Sequence, residues 1–189
     1  MFSHTQWLEG IRNEHLSYLH TAGPDWTFGG GAGMLFSGSM KKRDRNGVET
    51  GNFTENEGFV SLGAASALGD NFSGGAGFKM VYQKSDKEKA SAYAVDAGLL
   101  YFDAEWRFAL TMENLGSQLQ LYRESFDLPL AYKAAAAYRA FDSAWLTAQL
   151  THRPATGLGV SAGAEYELAV AEENSVFARA GYSSGAEAG

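Results

Sequence analysis

Few residues in this chain are spaced for chemistry, and each candidate can be checked against what that chemistry needs. Gly159-Val160-Ser161-Ala162-Gly163 has the pattern of a nucleophile elbow, where a strained strand-to-helix turn presents the serine to a histidine further along the chain. Here the pentapeptide lies inside an alternating strand pattern, and the last histidine, His152, precedes the serine. Gly157 to Ala162 imitates a dinucleotide fingerprint without a strand before it and a helix after it. Gly33 to Gly38 has phosphate-loop spacing, but Ser39 stands where the lysine belongs. These glycines read instead as sites of close strand packing and bending. His4, His15, His20 and His152 have no spacing with carboxylates that would hold a metal. Asn52-Phe53-Thr54 matters as a glycosylation acceptor only in a eukaryotic secretory setting. The expectation is a protein with no catalytic, cofactor-binding or metal-binding residues, and no enzyme.

Composition narrows the class further. At 189 residues the chain suits one domain, 1–189, and a sheet-rich domain of this length need not be divided. It has 23 glycines against 3 prolines, so the glycine does not mark a disordered low-complexity chain. No apolar run approaches the roughly 18 residues of a membrane-spanning helix, so any membrane role must use strands or the surface. A formal charge of -7 argues against nucleic acid as a partner. The run Lys41 to Arg45 reads as a solvated loop. Without cysteine there is no disulfide scaffold or thiolate metal site. Met1-Phe2-Ser3-His4-Thr5 has neither the basic start nor the apolar core of a secretory signal.

The elements are stated most plainly between Ala90 and Gly116. Tyr93, Val95, Ala97, Leu99 and Tyr101 share one face, and Ala92, Ala94, Asp96 and Gly98 the other. After Phe102-Asp103-Ala104-Glu105 the alternation resumes, with Trp106, Phe108, Leu110 and Met112 opposite Arg107, Ala109, Thr111 and Glu113. This is an antiparallel hairpin. From Tyr93 to Tyr101 it runs roughly 26 Å at about 3.3 Å per residue. Tilted by about 40°, that projects to roughly 20 Å, near the apolar band of an outer-membrane barrel.

Similar strands are expected at Phe28 to Ser39, Phe59 to Leu68, Phe72 to Gln83, Ala144 to Thr151, Leu158 to Leu168 and Val176 to Ser183. AYKAAAAYRA, with Pro129 placed at the start of its strand, has helical propensity. However, Tyr132 and Tyr138 share one parity and Lys133 and Arg139 the other, which makes it a strand. Period alone favours a helix over residues 1 to 20, and Ala22-Gly23-Pro24-Asp25 is a turn. Connections at 40 to 57, 84 to 89 and 116 to 127 read as long and polar, and those at 69 to 71, 102 to 105 and 140 to 143 as short. The contrast fades at 152 to 157 and 169 to 174. Outer-membrane barrels have such an asymmetry.

The two faces carry different chemistry. One face holds Lys79, Asp96, Arg107, Glu113, Lys133, Arg139, Glu165, Glu167 and Arg179, expected to face a lumen. The opposite faces of the same strands are expected to hold no charge. There Phe78, Met80, Tyr93, Leu99, Tyr101, Trp106, Phe108, Leu110, Tyr138 and Tyr166 are expected to face lipid. Trp145, on the polar side, is an exception. A soluble antiparallel barrel holding a small apolar ligand gives the same list with inside and outside exchanged. The abundance of Ala and Gly tips the reading toward lipid, since a soluble core would want more Leu, Ile and Val.

SHTQWLEGIRNEHLSYL at Ser3 to Leu19, DAGLLYF at Asp96 to Phe102, MENLG at Met112 to Gly116, LPLAYKAAAAYR at Leu128 to Arg139 and GAEYEL to ARAGY at Gly163 to Tyr182 resemble the PorV/PorQ family of bacterial outer-membrane proteins, related to FadL-like transporters. The resemblance implies that Ser3 to Leu19 is strand with an irregular turn near Trp7 to Gly10. It implies a barrel of roughly 14 strands, of which about 10 to 11 are present here, so that the chain is an internal fragment lacking signal peptide, amino-terminal hatch and carboxy-terminal strands. An unclosed edge in lipid would cost several kcal/mol per unsatisfied backbone group, so the chain by itself is not expected to be stable in a membrane. The partners it implies are outer-membrane lipid and either hydrophobic small molecules or, as in PorV, type nine secretion proteins.

Overall fold

The computed structural model describes residues 1–122, 124–171 and 174–184. The strands are β1 (Phe2–Gln6), β2 (Arg12–Ala22), β3 (Trp26–Phe36), β4 (Met40–Arg43), β5 (Glu49–Phe53), β6 (Glu55–Ala67), β7 (Phe72–Ser85) and β8 (Glu88–Phe102). They continue with β9 (Trp106–Gly116), β10 (Leu119–Leu121), β11 (Glu124–Phe126), β12 (Ala131–Phe141), β13 (Ala144–Arg153), β14 (Gly157–Ala171) and β15 (Asn174–Ser184). Strands take 79% of the described residues and no α-helix forms among them, so the fold class is antiparallel β. No helix of the described residues is long and apolar enough to cross a membrane.

Eleven strands join in one sheet in the order β1-β2-β3-β6-β7-β8-β9-β12-β13-β14-β15. Apart from the two excursions at β4-β5 and β10-β11, each strand pairs with its neighbour in sequence. That order has two edge strands, β1 and β15, and no pairing that closes it is found among the described residues. By contact the chain divides into a first unit (Met1–Ala64, Ala76–Val95, Leu115–Leu128) and a second (Ala65–Gly75, Asp96–Asn114, Pro129–Gly189).

The helix expected over residues 1 to 20 does not form. A 3-10 turn at Leu8–Gly10, with Gly10 at φ 77° and the Trp7 N–H bonded to the Ile11 carbonyl at 2.8 Å, interrupts two strands paired Phe2 to Leu16 and Gln6 to Arg12. The interruption breaks the two-residue alternation and so imitates a helical period. The strand with an irregular turn implied by the resemblance is what the fold contains. AYKAAAAYRA is strand β12, and Pro129 lies just before it, its carbonyl accepting the Asn114 side-chain amide at 2.9 Å.

The connection expected at 84 to 89 is a two-residue turn at Asp86 and Lys87, with Asp86 at φ 54°. Polar residues near the ends of β7 and β8 read as loop because they lie past the apolar stretch. The longer strands bring Lys84 and Lys89 to the parity of Met80 and Tyr93, and this corrects the expectation of a charge-free face. The connection read at 169 to 174 lies partly outside the described residues, at 172 and 173. The short turn after β8 is built by Asp103, whose carboxylate accepts the Glu105 N–H at 2.8 Å and the Trp106 N–H at 2.7 Å. These donors hold the Asp103 carboxyl below the usual carboxylate range, the Trp106 N–H first. The turn is therefore strongest above the ordinary aspartate range and weakens as pH falls through the depressed value. The Trp106 amide proton shift is expected to titrate with a midpoint below that range and to lose the titration in Asp103→Ala.

Candidate functional site

In the second unit the registers sort β9 and β12 to β15 into two sets of rows. Across one face run Arg107-Ala137-Thr147-Gly163-Gly181 and Ala109-Ala135-Gln149-Ser161-Ser183. Across the other run Trp106-Tyr138-Leu146-Ala164-Ala180 and Leu110-Ala134-Leu150-Val160. Arg107 and Thr147 are exposed on the polar face. Along the second row of each face, however, exposure is the reverse of a water-soluble protein, with Ala109, Ala135, Gln149 and Ser161 half-buried and Leu110, Ala134, Leu150 and Val160 exposed. On β14, Ser161, Gly163 and Glu165 are half-buried while Val160, Ala162, Ala164 and Tyr166 are exposed.

Among the described residues, the buried positions of the large sheet lie on one face. Ser85, Ala90, Ala92, Ala94, Ala131 and Thr151 all have polar-face parity. Large apolar side chains stand on the opposite face at 50% exposure for Phe78, 49% for Tyr93, 54% for Leu99 and 58% for Leu110. Met80, Trp106, Phe108 and Tyr166 are exposed there too. Tyr101 and Tyr138 are half-buried because aromatic neighbours cover them, Phe72 at 5.0 Å from Tyr101 and Trp106 at 4.5 Å from Tyr138. Two hollows of about 560 and 580 Å³ open on this apolar face over Ala134, between Leu110 and Leu150. The β1-β2 pair departs from the pattern, since Arg12 and Glu14 share parity with Leu16 and Tyr18. Arg12 covers the Phe36 ring at 5.0 Å, and Glu14 lies 3.6 Å from His4 Nδ1.

Two pairs of charges on the polar face hold each other, and most of the others meet polar groups or a ring. Lys133 Nζ donates to both Glu113 carboxylate oxygens, at 2.8 and 2.7 Å, and Arg179 donates to Glu165. Glu167 accepts from Ser175 at 2.6 Å, and Arg139 donates to the Asp142 carbonyl at 3.1 Å. Asp96 accepts the Asn114 N–H at 2.6 Å, and Lys79 alternates with Phe78 and Met80 on β7. Arg107 differs: its guanidinium lies 4.3 Å over the Trp145 ring. The sequence exception is thus the support of an arginine. The side chains of Lys133 and Glu113 are 28% and 35% exposed, between surface and buried behaviour. A double-mutant cycle with Lys133→Ala and Glu113→Ala is expected to show a coupling of about 1 kcal/mol.

In the first unit the chain itself covers part of the polar face, at β7 and β8. The ribbon β10-β11, paired Leu119 to Phe126, packs Leu119 (6% exposed) on Ala90 and Ala92 (7% and 0%), with Val81, Leu121 and Leu128 around them. Its route is set locally. Gly116 passes so close to the Tyr93 carbonyl that no side chain fits, and the Tyr93 carbonyl accepts the Ser117 N–H at 2.9 Å. Tyr122, at φ 52°, donates its hydroxyl to the Ser85 carbonyl at 2.7 Å. The β4-β5 hairpin reaches the same corner, where Lys42 Nζ lies 3.2 Å from Asp86. Sequence reasoning missed this ribbon. Its signal was the apolar set Leu119, Leu121 and Leu128 within a stretch otherwise read as a polar loop.

The early chemical candidates fall on ordinary sheet positions. Ser161 lies within β14 with its hydroxyl 2.9 Å from Ser183, and Gly33 sits under the Phe59 ring. His152 pairs with Leu158 on the apolar face, opposite the face of Ser161. Among the described residues no group of three His, Cys, Asp or Glu is placed to hold a metal. The chain matches no protein-family model, and no curated protein matches it.

Proposed function

We propose that this chain belongs to a non-enzymatic outer-membrane β-barrel of bacteria, in which the apolar face meets lipid and the polar face lines an enclosed interior. One observation carries the reading. Its large apolar side chains are exposed along one face, while the buried residues of the sheet, all Ala, Ser or Thr, lie on the other. In water such a face would be an aggregation surface, whereas hydrocarbon is the solvent it fits. The two sheet edges, β1 and β15, would then be paired in the bilayer, because unsatisfied strand edges there cost several kcal/mol per group.

The hollows over Ala134 suit lipid acyl chains, and the engaged charges of the polar face suit a wet interior. Together with the resemblance to PorV/PorQ and FadL-like proteins, this favours transport of hydrophobic small molecules or handling of secreted cargo over catalysis. The soluble barrel with a small apolar ligand would need its oily side chains inside, opposite to their exposure here. Fractionation tests the reading. The protein is expected to stay with membranes through alkaline carbonate and to leave them only in detergent, and release into the aqueous phase without detergent would overturn it.

A further inference from the structure

We infer that the polar face of the second unit holds a binding site for a small organic carboxylate, centred on Arg107. This deepens the barrel reading and rests on it for placing the site in the interior. The polar face there carries a hollow of about 380 Å³, at the low end of ligand pockets. Arg107, Thr147, Gln149 and Ser161 line it, above a floor that includes Ala137 and Gly163.

What singles out Arg107 is its partner. Lys133 and Arg179 on the same face hold carboxylates, but the Arg107 guanidinium lies against the Trp145 indole, and no carboxylate pairs with it among the described residues. Stacking engages the face of a guanidinium and leaves its N–H edge able to meet an oxyanion side-on with two bonds. The indole also fixes the side chain before any ligand arrives, which lowers the ordering cost of binding.

The lining fixes the class of ligand. One arginine matches one negative charge, while Thr147, Gln149 and Ser161 offer neutral hydrogen-bonding groups. The floor stays shallow because it is built of Ala and Gly. A Cβ at Gly163 would lie 3.0 Å from Thr147 Oγ1. A flat, largely apolar body can therefore lie on the strands with its carboxylate at Arg107, whereas a bulky or doubly charged anion lacks both room and a second cation.

Titration calorimetry of the detergent-solubilised protein with benzoate and with its neutral isostere benzamide tests this. Benzoate is expected to bind at least tenfold more tightly than benzamide, a comparison that needs no variant. Arg107→Gln is expected to remove that preference, Arg107→Lys to restore part of it, and Ala137→Leu to weaken benzoate by filling the hollow without changing charge. Equal affinity for the two ligands, or an unchanged preference in Arg107→Gln, would overturn the site. Neither result depends on the fractionation experiment, so failure of the barrel reading and failure of the site are separately visible.

Discussion

On the barrel reading proposed above, Leu150→Arg is expected to lower the stability of the protein folded in phospholipid bilayers by up to about 2 to 4 kcal/mol, the cost of aiming a cation at hydrocarbon. Leu150 is 49% exposed on the apolar face of β13, between the apolar partners Ala134 and Val160. Gln149→Arg, one residue away and therefore at the same depth, turns the same charge to the polar face and is expected to cost far less. The contrast matters because water predicts a different pattern. For a side chain exposed to water, such a substitution shifts stability by only about 0.5 kcal/mol in either direction. Urea titration of both variants, refolded in bilayers, measures the difference, and equal effects at the two positions would remove lipid from the account.

Leu119→Ala is expected to release the β10-β11 ribbon from the sheet. At 6% exposure Leu119 is the largest buried side chain of its cluster, resting on Ala90 and Ala92. Truncating a buried leucine costs about 2 to 5 kcal/mol. Among the described residues, the other ties of the ribbon are the packing of Leu121 and Leu128, the Tyr122 hydroxyl on Ser85 and the hydrogen bonds between Ser117 and Tyr93. The ribbon amides should therefore exchange with solvent roughly 30-fold faster or more, the equivalent of about 2 kcal/mol, while β12 to β14 keep their protection. Ala92→Leu reaches the same state by crowding, since Ala92 is 0% exposed and overpacking costs about 1 to 3 kcal/mol. Because the ribbon covers the polar face at Val81, Ala90 and Ala92, either variant is expected to raise single-channel conductance in a barrel. Unchanged exchange in both would mean that the ribbon is held by something other than this contact.

Much of the sheet was legible because its strands alternate without error over long stretches. Tyr93 to Tyr101 and Trp106 to Met112 can be assigned to one face by counting, and the parity of Lys133 and Arg139 outweighed the helical propensity of the alanines between them. Legibility failed where alternation was interrupted or continued without apolar residues. The turn at Leu8–Gly10 reset the parity between β1 and β2, and only the resemblance gave the right element. Strand ends such as Lys84 and Lys89 carry polar side chains on both faces and looked like loop.

The site was legible in part. The two face lists could be drawn from the sequence, but the pairing of Lys133 with Glu113 depends on strand register, and the support of Arg107 by Trp145 depends on a contact between strands that are not neighbours. The ribbon was invisible because three leucines spread over ten residues form no period.

Trp106 and Trp145 give the most direct test, since one belongs to each face. Trp106 is 39% exposed beside Phe108 and Tyr138, whereas Trp145 is half-buried under Arg107. In proteins retaining only one of these tryptophans, lipids brominated on their acyl chains are expected to quench Trp106 strongly and leave Trp145 bright. Equal quenching of the two, or quenching of Trp145 alone, would contradict the outward orientation of the apolar face.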